Sequence, residues 1–149
     1  MVHTALSLRI AAPPERVAAM YADYEQWPRL FPATIRGVRR LAVHGPCQKI
    51  EVSHTSEGKV INIMITISPL QIQLDEFKRH FDARFLNSFE ASDQDTRYSI
   101  VADVRLKGAA RLLGPFAEPI VRSRLRRYVL EPVREAVERG LPNGATHAR

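Results

Sequence analysis

Ala11-Ala12-Pro13-Pro14-Glu15-Arg16-Val17, followed ten residues later by Trp27-Pro28-Arg29-Leu30-Phe31-Pro32, decides how the rest of this chain is read. Proline has a fixed φ and no N–H to lose, so Pro13-Pro14 suits a helix start. Glu15 in the first turn favours the helix dipole. Val17, Met20 and Tyr21 then recur at helical spacing. Pro28 and Pro32 bracket a compact turn or a second short helix. Upstream, Thr4 to Ile10 places Leu6, Leu8 and Ile10 on one face, as a half-buried strand does. The chain therefore opens as a strand followed by two short helices.

The middle reads as strands separated by turn signals. Ile35 to Val43 ends at His44-Gly45-Pro46. Gln48 to His54 puts Ile50, Val52 and His54 on one face and Lys49, Glu51 and Ser53 on the other, and Ser56-Glu57-Gly58 makes a hairpin turn. Lys59 to Ile67 aligns Ile61, Ile63, Ile65 and Ile67, the clearest period-2 pattern in the sequence. Gln71 to Lys78 follows, then Arg84 to Ala91 with Phe85, Asn87 and Phe89 together. After Asp93-Gln94-Asp95, Arg97 to Lys107 turns Tyr98, Ile100, Ala102, Val104 and Leu106 inward. Strands joined by short turns predict an antiparallel meander.

From Pro115 the period becomes helical. Val121, Leu125, Tyr128, Val129, Pro132 and Ala136 fall within about 100 degrees of arc, a core-facing stripe. Arg127/Glu131 and Arg134/Glu138 are spaced as i,i+4 pairs on the opposite side. Pro132 removes a backbone hydrogen bond and should kink the helix. Gly140-Leu141-Pro142 stops it. Residues 1–140 are expected to form a single domain and 141–149 a disordered tail.

The chain has 149 residues, 45% of them hydrophobic and 26% charged, which suits an ordinary globular core. No apolar run approaches the length of a membrane span, and the N-terminus lacks the basic-then-apolar pattern of a secretory signal. The single cysteine, Cys47, cannot form an internal disulfide and fits a reducing compartment, so a cytoplasmic location is expected. The net charge is +6. Between Arg105 and Arg139 nine basic residues face four acidic ones, the pattern of a solvated helix face or, as a weaker reading, of a membrane surface. No nucleic-acid motif accompanies the charge, so no nucleic-acid partner is expected. His3, His44, His54, His80 and His147 lack paired zinc spacing and no phosphate loop is present. We therefore expect no metal and no cofactor.

Ala12-Pro13-Pro14-Glu15-Arg16-Val17 with Trp27-Pro28-Arg29-Leu30-Phe31-Pro32 resembles the opening of bacterial polyketide cyclase/dehydrase-like and coenzyme-Q-binding-like proteins. Asp95-Thr96-Arg97-Tyr98 and Leu112-Leu113-Gly114-Pro115-Phe116 add to the resemblance, which covers roughly Thr4 to Gly140. It implies the α+β helix-grip fold of the START-like superfamily: a curved antiparallel sheet of six or seven strands wrapped around a long C-terminal helix. A curved sheet cannot press flat against a straight helix, so that fold implies a cavity. Its expected wall comprises Val52, Ile63, Ile65, Phe85, Phe89, Tyr98, Ile100 and Val104 from the sheet. Phe116, Ile120, Val121, Leu125 and Tyr128 would join from the helix, and Trp27, Phe31 and Ile35 from the rim. Any of these also suits an ordinary core.

Five polar residues are candidates for chemistry in such a cavity. His54, at a strand end, is either a general acid or base or a hydrogen-bonded strand-end imidazole. Asn87, between two phenylalanines, needs hydrogen-bond partners, from a ligand or from the protein. Tyr98 and Tyr128 offer phenols, and Arg124 borders the apolar stripe, where it either anchors a ligand or reaches solvent. Three function classes follow. One is a binding module, monomeric or homodimeric, for a hydrophobic molecule such as a polyketide, lipid or quinone. The second is a cyclase/dehydrase-type enzyme. The third is an interaction or membrane-surface role built on the basic C-terminal helix.

Overall fold

Short turns set the register of each hairpin, and the registers build the sheet. The computed structural model describes residues 1–141. It contains β1 (Val2–Ile10), α1 (Pro14–Ala22), a 3-10 turn (Tyr24–Gln26), α2 (Trp27–Leu30), β2 (Ile35–His44), β3 (Cys47–His54) and β4 (Gly58–Ser68). β5 (Gln71–Phe77), β6 (Phe81–Ser92) and β7 (Asp95–Leu106) complete one seven-stranded sheet in the order β1-β7-β6-β5-β4-β3-β2. Every pairing is antiparallel, and β1 crosses to the far edge to lie along β7 from Val2↔Val104 to Ile10↔Thr96. Bulges interrupt β2 between Ile35 and Gly37 and between Arg40 and Ala42, and the β4–β5 pairing near Thr66. Such insertions bend a strand and raise its local twist. This is the helix-grip architecture, with both short helices following β1.

The isoleucine pattern of β4 faces the other way from the one expected. Val60, Asn62 and Met64 are buried on the inner face, while Ile61, Ile63 and Ile65 lie half-buried on the outer face and Ile67 is 51% exposed. Cross-strand pairing explains it. Ile63 lies opposite Lys49 and Asp75, whereas Val60 lies opposite Val52 and Met64 opposite Leu74. Residues directly opposite share a face, so the apolar set of β3 and β5 draws Val60 and Met64 inward.

The C-terminal segment begins earlier than the periodicity indicates. A 3-10 stretch (Gly108–Phe116) breaks at Gly114, whose φ of 52° and ψ of −125° lie where only glycine is unstrained. α3 (Ala117–Leu125) follows, then a π turn (Arg126–Leu130) and α4 (Glu131–Arg139). The disturbance expected at Pro132 takes the form of this π turn, in which the Glu131 N–H reaches back to the Arg126 carbonyl. The wider turn adds a residue and shifts the phase of the stripe. Leu125 is buried as expected, but beyond it Leu130, Val133 and Val137 join Ala136 in the core, while Val129 and Pro132 are only half-buried. The ion pairs move as well. Arg134 pairs with Glu131 at 3.9 Å and Arg139 with Glu135 at 2.6 Å, while Arg127 lies over the Tyr128 ring. Glu138 accepts the Ala11 N–H at 2.8 Å, tying α4 to the turn after β1. Except for Leu141, the tail expected over 141–149 lies outside the described residues.

One end of the space between sheet and helices is solid. Tyr21 sits against Trp27, Phe31, Phe89 and Tyr98 with ring centroids 5.7 to 6.5 Å apart, and Phe89 stacks on Tyr98 at 4.7 Å. The Trp27 indole N–H donates to the Tyr21 carbonyl at 2.8 Å, so its burial leaves no donor unpaired. Thr96, fully buried, donates its hydroxyl to the Ala12 carbonyl at 2.7 Å and so clamps the start of β7 to the turn before α1. Thr96→Val keeps the shape but removes that donor. It should lower unfolding free energy by about 1–3 kcal/mol in urea titrations, while Thr96→Ser retains most of the stability.

Candidate functional site

Beyond the aromatic cluster, the sheet and α3 separate around a cavity of about 450 Å³. Leu74, Phe85, Ile100 and Val104 line it from the sheet, Phe31 and Ile35 from the connection into β2, and Ala117, Val121 and Leu125 from the helix. These walls are apolar. The polar groups are gathered in two places.

The first is a buried chain of hydrogen bonds. The Tyr98 hydroxyl donates to Asn87 Oδ1 at 2.5 Å, and Asn87 Nδ2 donates to the Tyr21 hydroxyl oxygen and to the Ile72 carbonyl, both at 3.2 Å. Asn87 is thus held from three sides. Burial raises the pKa of both phenols well above the ordinary tyrosine range, with Glu76 adding to the effect at Tyr21 and Tyr21 adding to it at Tyr98. Both stay protonated and act as donors. Tyr98 spends its proton on Asn87. Tyr21 accepts from Asn87, lines the cavity, and among the described residues has no acceptor for its own proton.

The second lies where β3, β4 and β5 end. The Lys78 ammonium pairs with Glu57 at 2.8 Å and Glu76 at 3.7 Å and sits 5.1 Å from the Phe81 ring centre. Glu76 also accepts from Asn62 at 3.2 Å. Burial opposes the charge on Glu57, but the hydrogen bond and charge of Lys78 outweigh it and hold the carboxyl below its usual range. His54 faces this group. Burial first, and the Lys78 charge second, lower its pKa, and its Nε2 is buried with no hydrogen-bond partner among the described residues. Arg124 completes the ring of charges and rests on Tyr128 at 5.2 Å. Two carboxylates and two cations leave this end neutral overall.

The cavity brings together most of the residues singled out from the sequence. Trp27, Phe31, Phe85, Ile100, Ile120 and Tyr128 line it, as do His54, Asn87 and Arg124. Tyr98 stands behind the wall, one hydrogen bond away through Asn87. Val52 and Phe89 are sealed in the core, with no share of the cavity wall. Ile63, with Ile65, occupies the opposite face of the sheet for the pairing reason given above. Phe116 is 70% exposed, because the break at Gly114 redirects the chain just before it. Sequence reasoning missed Tyr21, Glu57, Glu76 and Lys78. Tyr21 reads as one member of an apolar helical stripe, and the other three read as solvated charges at strand ends. Among the described residues no three His, Cys, Asp or Glu side chains converge to hold a metal ion, and no helix is long and apolar enough to cross a membrane.

Solved structures share this architecture. An aromatase/cyclase, Zhui, from Streptomyces sp. R1128 superposes with a TM-score of 0.74 at 17% identity, over 92% of this chain and 93% of its own. A START superfamily protein from Mycobacterium smegmatis gives 0.72 at 18% identity, over 91% and 97%. Norcoclaurine synthase from Thalictrum flavum gives 0.69 at 9% identity, over 92% and 86%. No family model and no curated protein matches the sequence. The likeness is therefore one of fold, and the fold is START-like helix-grip.

The state of His54 has a consequence for stability. Its folded-state pKa lies below the unfolded value of about 6.5, so the unfolded chain takes up the proton first and acidification through that value destabilises the fold. Melting temperature should fall as pH drops just below 6.5. His54→Gln should flatten that part of the profile and leave the steeper loss at lower pH, where Glu57 and the other carboxylates protonate.

Proposed function

We propose that this protein binds a hydrophobic small molecule, of the polyketide, lipid or quinone-like kind, in the cavity between sheet and helix. The observation that carries the reading is an apolar cavity of about 450 Å³ whose wall includes His54, with its Nε2 buried and unpartnered among the described residues, and the Tyr21 hydroxyl. That volume falls in the range of roughly 300–1,000 Å³ typical of small-molecule sites. The polar groups define the ligand further. Tyr21 offers a phenol proton that suits a carbonyl or quinone oxygen, and His54 Nε2 offers a second contact at the other polar site. The charges of Glu57, Glu76, Lys78 and Arg124 cancel, which favours an uncharged polar end on the ligand.

A second reading, a cyclase/dehydrase-type enzyme, draws on the same atoms. A neutral imidazole beside a lysine–carboxylate cluster and a protonated phenol are the pieces of general acid–base catalysis, and one structure of the same fold is an aromatase/cyclase. Single substitutions His54→Gln and Tyr21→Phe that leave turnover of every accepted polyketone unchanged would remove this reading.

Native mass spectrometry of protein purified from its own host tests the binding reading first. A reproducible hydrophobic adduct that dissociates on extraction is the expected result. Ile100→Trp, which fills the cavity, should abolish the adduct without unfolding the protein. Tyr21→Phe should weaken binding of a carbonyl-bearing ligand about tenfold. An Ile100→Trp protein that carries the adduct undiminished would sink the proposal.

A further inference from the structure

We infer that the 3-10 segment at the cavity mouth docks onto the surface of an anionic lipid bilayer. Leu112 is 88% exposed and Phe116 70%, and Leu113 and Ile120, which line the cavity, are 39% and 41% exposed. Four large apolar side chains thus face water along one short stretch, where scattered single residues are the norm. Interfacial segments are built this way, with apolar side chains that enter the acyl boundary and cations beside them.

The cations are present. Arg105, Lys107 and Arg111 line an open groove of about 600 Å³ on the other side of the same segment. Asp82 pairs with Arg105 and Lys107, each at 2.8 Å, so three positive charges meet one carboxylate and the groove remains basic. Arg124 stands at the cavity side, and the chain as a whole carries +6. Of the acidic residues nearby, Glu57 is paired with Lys78, and Glu118, which accepts from Thr4, is a single negative charge against the cations of the groove. An apolar edge beside a groove that carries net positive charge is complementary to a bilayer whose phosphates lie above its hydrocarbon. Leu113 and Ile120 also join that edge to the cavity, so docking would place the cavity mouth against the source of an apolar ligand.

Co-sedimentation with vesicles tests this independently of any ligand. The protein should pellet with vesicles of equal parts phosphatidylglycerol and phosphatidylcholine, should bind pure phosphatidylcholine far less, and should be released by added salt. Leu112→Ser and Phe116→Ser should each weaken binding on the order of tenfold, since each removes a large side chain from the acyl boundary. Arg111→Ser should weaken it on the order of fivefold. Leu41→Ser, a half-exposed position on β2, should bind like the parent and controls for general loss of surface hydrophobicity. The inference is overturned if the parent ignores anionic vesicles at low salt, or if the Leu112 and Phe116 variants bind as well as the Leu41 variant. It is equally overturned if those variants instead dissolve a dimer seen by light scattering while vesicle binding is absent, which would make the patch an interface between copies. Loss of vesicle binding with ligand adducts intact, or the reverse, separates this inference from the cavity reading.

Discussion

Tyr21 is the point at which the two layers of this molecule meet. Its ring lies among Trp27, Phe31, Phe89 and Tyr98, and its hydroxyl is bonded to Asn87 on the sheet. Helix α1 is thereby fixed to strands β6 and β7 by both dispersion and a directed bond. Large rings in mutual contact fill this end, whereas at the other end, where α3 passes over the strand ends, Phe81, Phe85 and Tyr128 line the space without closing it. The space there stays open because α1 holds the sheet and α4 together at a fixed separation. A firm core and an accessible cavity are two results of one arrangement of aromatic side chains.

The C-terminal helix meets this geometry by changing its own pitch. A regular α-helix carrying Leu125 into the core would next present Val129, yet the chain buries Leu130. The π turn between them accommodates the missing N–H of Pro132 and rotates the following stretch so that Val133 and Val137 are buried, on a helix that packs beside α1 and α2. Tyr128 and Val129, left between the two phases, become half-buried and join the cavity wall. Pro132 therefore helps decide which side chains a ligand can touch, although it is not itself in the wall.

Much of the fold was legible because its signals are local. Proline pairs, turn residues and strict alternation mark elements, and those survive any tertiary context. Orientation is not local in the same way. The isoleucines of β4 form the strongest alternating pattern in the chain and still point outward, because their cross-strand neighbours Lys49 and Asp75 are polar. The hairpin turn at Ser56-Glu57 fixes the β3–β4 register, so the correct face was contained in the sequence once pairing was considered alongside pattern. The cavity was legible as apolar wall. Its polar groups were not, since Tyr21 comes from a helix remote in sequence from Asn87, and Glu57, Glu76 and Lys78 become a cluster only when two hairpin ends are folded side by side.

The sheet is open, and an open sheet has two rims with unpaired backbone groups. At one rim Arg122 reaches from α3 to the Ala5 carbonyl at 2.5 Å and to the Thr4 hydroxyl at 2.9 Å, so the rim formed by β1 is partly covered by the protein's own helix. At the other rim β2 carries Arg36, Arg39 and Arg40 on a strand already broken by its bulges. Another strand approaching it would meet like charge and a backbone out of step with its own. The irregularities that bend β2 around the helix thus also make it a poor template for a second sheet, and the molecule can keep its interior partly empty without inviting its neighbours to polymerise along its edge.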